Sequence, residues 1–167
     1  MTANRNIIFK SIFPLTIISL FFVTKWWFAL PIDGIDKMYW GFPLAFMGEG
    51  FHTSMSYQFF MMEFFIDFFI YFIFWTVILS SFQKIFPAFH IKRIFTNAIW
   101  VVAILFSVVF STYISTSNPV FLSKRGYDWQ IMKTGYVFIW QATPSPDIMK
   151  YHPSLIKESK NPSSQKQ

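Results

Sequence analysis

The sequence predicts an all-α membrane protein, with three transmembrane helices and a small, irregular, β-containing extracytoplasmic cap. Three observations predict it. Apolar stretches near residues 7–27, 59–83 and 94–114 are each long enough to cross a bilayer. Hydrophobic residues make up 54% of the chain and charged residues 13%, the latter about half the share usual in water-soluble domains. The basic residues flank the apolar stretches and are otherwise scattered in the tail, as they are around membrane spans. The whole of 1–167 is expected to form one membrane domain.

The N-terminal stretch MTANRNIIFKSIFPLTIISLFFVTKWWFAL has the basic-then-apolar layout of an export signal, but no small-x-small cleavage site follows it. It predicts an uncleaved signal anchor over 7–27. Lys10 and Lys25 would then reach opposite interfaces, and Pro14 would kink the first turns.

Residues 28–58 form the expected outer loop. Pro31, Gly34, Gly41, Pro43, Gly48 and Gly50 punctuate it too heavily for a long helix. Tyr39, Trp40, Phe42 and Phe46 argue against free solvation and place it on the membrane surface or over the helix ends. A short extended stretch within 38–46, interrupted by Pro43, would suit a sheet edge.

Phe59 to Phe82, FFMMEFFIDFFIYFIFWTVILSSF, is the central element of the reading, the core of the span at 59–83. As a helix it covers about 36 Å, against a hydrocarbon core of about 30 Å. Lipid offers the backbone no partners, so a helix is required despite the β-branched and aromatic content. The short connection 84–93 carries Lys84, His90, Lys92 and Arg93 and makes the second and third spans antiparallel neighbours.

The third span, 94–114, is charge-free and ends at the turn signal STSNP. Ala103, Ser107, Ser111 and Ser115 recur every four residues, a spacing that lets helix backbones approach and hydroxyls bond across. In the outer segment 115–150, Gly135 to Gln141 reads as a strand too short to span, pairing with the aromatic loop to make the cap. The polar tail 151–167 is expected to be disordered.

Arg5, Lys10, Lys84, Lys92 and Arg93 fall on one face of this arrangement, which puts the N-terminus in the cytoplasm and the C-terminus outside. Lys124 and Arg125, just beyond the third span, run against that rule.

Glu63 and Asp67 are four residues apart and share a helix face, where a shared proton or a bound cation is one use for them. Counting back from Lys84, both lie shallow, Glu63 at the interface and Asp67 about one turn inside. The plainer reading has them solvated or paired with a basic residue of a neighbouring loop. The segment GEGFHTSMSYQ adds Glu49 and His52 to the same outer interface, and Ser54 or Ser56 would cap the helix start. Candidate ligand or ion residues are thus Glu63, Asp67, His52 and Glu49. His52, His90 and His152 lack metal-ligand spacing, so no metal and no cofactor are expected.

The chain has no cysteine, which excludes disulfides, thiolate metal sites and a cysteine nucleophile. Its formal charge of +6 is better matched to anionic lipid headgroups than to nucleic acid, for which no recognition motif is present.

The stretch YWGFPLAF, residues 39–46, resembles small, functionally uncharacterised bacterial membrane proteins with an aromatic-Gly-Phe-Pro-x-x-Phe stretch ahead of a helix bearing an acidic residue. The match rests on Tyr39, Gly41, Phe42, Pro43, Phe46 and Asp67. It implies a bacterial cytoplasmic (inner) membrane setting and carries no activity or catalytic residue with it.

No glycine-flanked nucleophile, phosphate loop or zinc-hydrolase helix is present. The expected function is therefore a non-enzymatic structural or accessory component of a membrane assembly, with the bilayer and a membrane-protein partner or second copy as its company. The alternatives are proton or cation transport or sensing at the Glu63 and Asp67 face, and a membrane enzyme acting on lipid or envelope substrate with His52 and the two helix carboxylates.

Overall fold

The structure is a computed structural model that describes residues 2–31, 37–50, 56–86, 92–126, 128–138 and 141–142. Three helices, α1 (Thr2–Phe22), α2 (Met61–Ile85) and α3 (Arg93–Thr116), stand on a six-stranded sheet. The strands are β1 (Val23–Pro31), β2 (Lys37–Trp40), β3 (Met47–Glu49), β4 (Tyr57–Phe60), β5 (Pro119–Leu122) and β6 (Trp129–Phe138). Their spatial order is β5-β4-β3-β2-β1-β6, antiparallel throughout except for the parallel pair β4 and β5.

The all-α, three-span expectation is overturned. Two helices, α2 and α3, are long and apolar enough to cross a membrane. Helix α1 is not one of them; among the described residues it contributes a shorter apolar helix, Lys10–Phe22. The expected first span, 7–27, fails because the chain leaves the helix at Phe22 and enters β1. The reason lies in a change of period. From Val23 onward the residues are β-branched and aromatic, and they alternate between faces: Trp26 and Phe28 bury on one side with Val137, while Ala29 buries on the other with Tyr39 and Phe60.

The loop expected over 28–58 contains the end of β1 and all of β2, β3 and β4. Pro43 does not weaken a strand, because β2 stops before it and lies inside the sheet between β1 and β3. The late strand exists, but it begins at Trp129 and pairs along β1, whose Val23 to Trp27 end lies within the expected first span. The expected second and third spans correspond to α2 and α3 with shifts of a few residues, but the two do not pack as neighbours: each packs chiefly along α1. The tail 151–167, the link 87–91, Ser54, His52, His90 and His152 lie outside the described residues.

Each sheet face carries a buried cluster. One packs under the helices: Phe59 is buried with Leu20 and Phe46, and its ring meets Phe110 edge-on at 5.8 Å. The other carries Ala29, Tyr39, Ala45 and Phe60, with Trp27, Leu122 and Trp129 packed around them. Tyr39 is completely buried, its ring 4.4 Å from that of Trp129 and lying on Gly48 of the neighbouring strand, so that any side chain at position 48 would collide with it.

Helix α1 packs along both α2 and α3. Its contacts with α3 advance together, Ser11 with Thr96, Phe13 with Trp100 and Phe21 with Phe110, so the two run in the same direction. Pro14 is buried inside α1 and has no N–H, which leaves the Lys10 carbonyl without its helical donor. The Trp100 indole N–H of α3 donates to that carbonyl at 3.1 Å. A defect in one helix is thereby used to fix the next.

The stripe Ala103, Ser107, Ser111 and Ser115 is only partly a packing surface. Ala103 is buried, but the Ser107 and Ser115 hydroxyls donate back to carbonyls of their own helix, those of Ala103 and Ser111. That is the usual refuge of a helical serine. Helix α3 stops where expected. The Ser117 amide closes on the Ile114 carbonyl, Asn118 takes a positive φ of 45°, and Pro119 begins β5.

Candidate functional site

The segment between β2 and β3, which contains most of the motif at 39–46, is held at every step. The Gly41 amide donates to the Lys25 carbonyl at 3.0 Å, and the Trp27 indole donates to the Gly41 carbonyl at 3.0 Å. The Phe46 amide closes on Trp40, and the Phe60 amide on Phe46. Gly41 has φ +143°, and a Cβ there would run into the Leu44 carbonyl and the Phe46 amide. Only glycine fits this turn without strain.

The tip of that segment meets α2. Asp67 is fully buried, and the Leu44 amide donates to its two carboxylate oxygens at 3.0 and 3.3 Å. The plainer expectation for Asp67, solvated or paired with a basic residue of a neighbouring loop, is therefore corrected: the side chain is enclosed and accepts a backbone amide. Its burial follows from the position of the motif, which the sheet places over the second turn of α2.

Glu63, one turn earlier, faces a different element. Its Oε1 accepts the Arg125 amide at 3.2 Å, while its Oε2 is buried with no hydrogen-bond partner. The expected basic neighbour is present, but it contributes its backbone. The Arg125 guanidinium lies instead 3.9 Å over the Trp129 ring. The expected serine cap is absent: the N-cap is Phe60 with no side-chain bond, and the Met62 amide donates to Ser123.

These residues line a cleft of about 440 Å³ between the sheet and the start of α2. Trp27 and Trp129 form its aromatic wall, their rings stacked 6.3 Å apart, and Leu44 lies on its rim. Glu63, Lys124 and Arg125 supply its charges, and the exposed Met62 and Ile66 continue from it along α2. A concave site with an aromatic wall and a few convergent polar groups is the usual form of a small-molecule site.

Of the four expected site residues, Glu63 alone lines this cleft. Asp67 lies behind it, bonded to Leu44. Glu49 stands on β3 opposite Tyr57 and is not among the lining residues. His52 lies outside the described residues. Trp27, Trp129, Lys124 and Arg125, far apart in sequence, come together only in the fold. Their signal was the pair of bases standing against the charge rule beyond α3. Among the described residues no three His, Cys, Asp or Glu side chains are arranged to hold a metal.

Comparison with protein-family models, with curated proteins and with solved structures finds no match.

Proposed function

We propose that the protein is a non-enzymatic integral membrane component, a structural or accessory member of a membrane assembly. In this reading α2 and α3 cross the bilayer as a hairpin and the sheet lies on one membrane surface. The observation that carries it is the bareness of the two helices. Large apolar side chains such as Phe65, Phe69, Ile73, Val77, Val101, Leu105 and Val108 are exposed, and very little of either apolar stretch is buried inside the protein. In water such a surface far exceeds what monomeric proteins display, whereas in lipid it needs no cover.

Lys84, Lys92 and Arg93 stand at the end of the hairpin away from the sheet, which favours a cytoplasmic link and an extracytoplasmic sheet. A bacterial inner membrane is the proposed setting. The buried Asp67 supports an anchoring role over ion transport, because its oxygens are already engaged by the Leu44 amide. Solubilisation in mild detergent tests the accessory role. The reading expects a discrete complex larger than the monomer, and a monodisperse monomer with no cross-linked partner in intact cells would count against it.

A further inference from the structure

We infer that the cleft at the start of α2 holds the headgroup of a zwitterionic phospholipid bearing a primary ammonium, an ethanolamine-type headgroup. The inference rests on the membrane reading above, since α2 brings the cleft to the bilayer surface. The charges in the cleft are of two kinds, and among the described residues no ion pair joins them. Lys124 and Arg125 offer cationic donors, and among the described residues neither side chain is engaged in a hydrogen bond or ion pair. An arginine fork and a neighbouring lysine are suited to a phosphate.

Glu63 supplies the opposite charge. A carboxylate has room for several donors, and this one takes a single amide, leaving Oε2 unsatisfied in a buried position. Such an oxygen calls for a donor, and a cationic one compensates its burial best. The Trp27 and Trp129 rings already carry cations of the protein, Lys25 at 3.7 Å and Arg125 at 3.9 Å, so the selection of an ammonium falls to the unsatisfied oxygen of Glu63. Purely anionic headgroups would leave Glu63 unanswered, and a quaternary ammonium has no N–H to give it. The exposed Met62 and Ile66 mark where the acyl chains leave, downward along α2.

The test is native mass spectrometry of the full chain in detergent, titrated with phosphatidylethanolamine, phosphatidylcholine and phosphatidylglycerol of identical acyl chains, and with soluble phosphoethanolamine. Phosphatidylethanolamine should bind about tenfold more tightly than phosphatidylcholine, the size of one charge-assisted hydrogen bond. Glu63→Gln should abolish that preference while leaving phosphatidylglycerol binding in place. Arg125→Gln, and more mildly the exposed Lys124→Gln, should weaken both phosphatidylethanolamine and phosphatidylglycerol without changing the ethanolamine-to-choline ratio.

Equal binding of the ethanolamine and choline lipids by the wild type, or a preference that survives Glu63→Gln in a folded protein, would overturn the site. Displacement of the lipid by an equal concentration of soluble phosphoethanolamine would overturn its lipid source. Retention in carbonate-washed membranes is scored separately. Retention without headgroup preference removes only this inference, whereas release by carbonate removes the membrane reading beneath it.

Discussion

The backbone amide of Leu44 donates to both carboxylate oxygens of Asp67, joining the turn after β2 to the second turn of α2 across 23 positions of sequence. This contact ties the sheet to the hairpin and uses the one fully buried carboxylate among the described residues. It turns an acidic residue in an apolar helix from a candidate ion site into an anchor.

Replacing Asp67 by Leu removes the acceptor of the Leu44 amide, at a cost of about 1 kcal/mol. Asp67→Asn keeps an acceptor oxygen and should lose less. Thermal unfolding in detergent should rank wild type above Asp67→Asn and Asp67→Leu last. An Asp67→Leu protein as stable as wild type would remove the anchoring role.

Gly41→Ala should destabilise by more than about 1 kcal/mol, because φ is positive and the new methyl meets the Leu44 carbonyl and the Phe46 amide. Since the same turn aims the Leu44 amide, Gly41→Ala and Asp67→Leu should be less than additive in combination. Full additivity in a double-mutant cycle would show that the turn and the anchor are independent.

Trp100→Phe removes the donor to the Lys10 carbonyl and should cost about 1 kcal/mol. Pro14→Ala restores a backbone N–H at position 14 that can serve the same carbonyl. In that background Trp100→Phe should cost measurably less. An equal cost in both backgrounds would break the proposed link between the proline and the indole.

Two helices of this fold were legible in the sequence; its six-stranded sheet was not, and that has a physical cause. Apolar length identified α2 and α3, and the STSNP segment marked the end of α3 through Asn118 and Pro119. What failed was the boundary at Phe22. A run such as FFVTKWWFAL is apolar in either conformation, and only pairing with β6 more than 100 positions later decides that Val23 begins a strand. The short strands β3 and β4, MGE and YQFF, carry no alternation long enough to read.

The site divides in the same way. Glu63 and Asp67 stood out as acids in an apolar helix, but their separate partners, Arg125 and Leu44, come from elements joined only by the sheet. Local sequence cannot supply such a pairing. Lys124 and Arg125 were visible as an exception to the charge rule, and the cleft gives that exception a use.

The sheet that replaces the first span makes a direct prediction. Lys25 of β1 and Tyr136 of β6 are register partners, and the chain has no native cysteine. The double variant Lys25→Cys with Tyr136→Cys should therefore cross-link rapidly with a short thiol reagent, while Lys25→Cys with Lys84→Cys should not. Absence of the first cross-link would return Lys25 to a helix end.

Single-cysteine labelling with a membrane-impermeant maleimide addresses the central claim most directly, using Lys92→Cys at the hairpin end, Val77→Cys in mid-helix and Lys124→Cys beside the cleft. In sealed vesicles of the two orientations, position 92 should react only from the cytoplasmic face, position 124 only from the opposite face, and position 77 from neither. Reaction of Val77→Cys from water, or of positions 92 and 124 from the same face, would contradict a hairpin of α2 and α3 crossing the bilayer beneath the sheet.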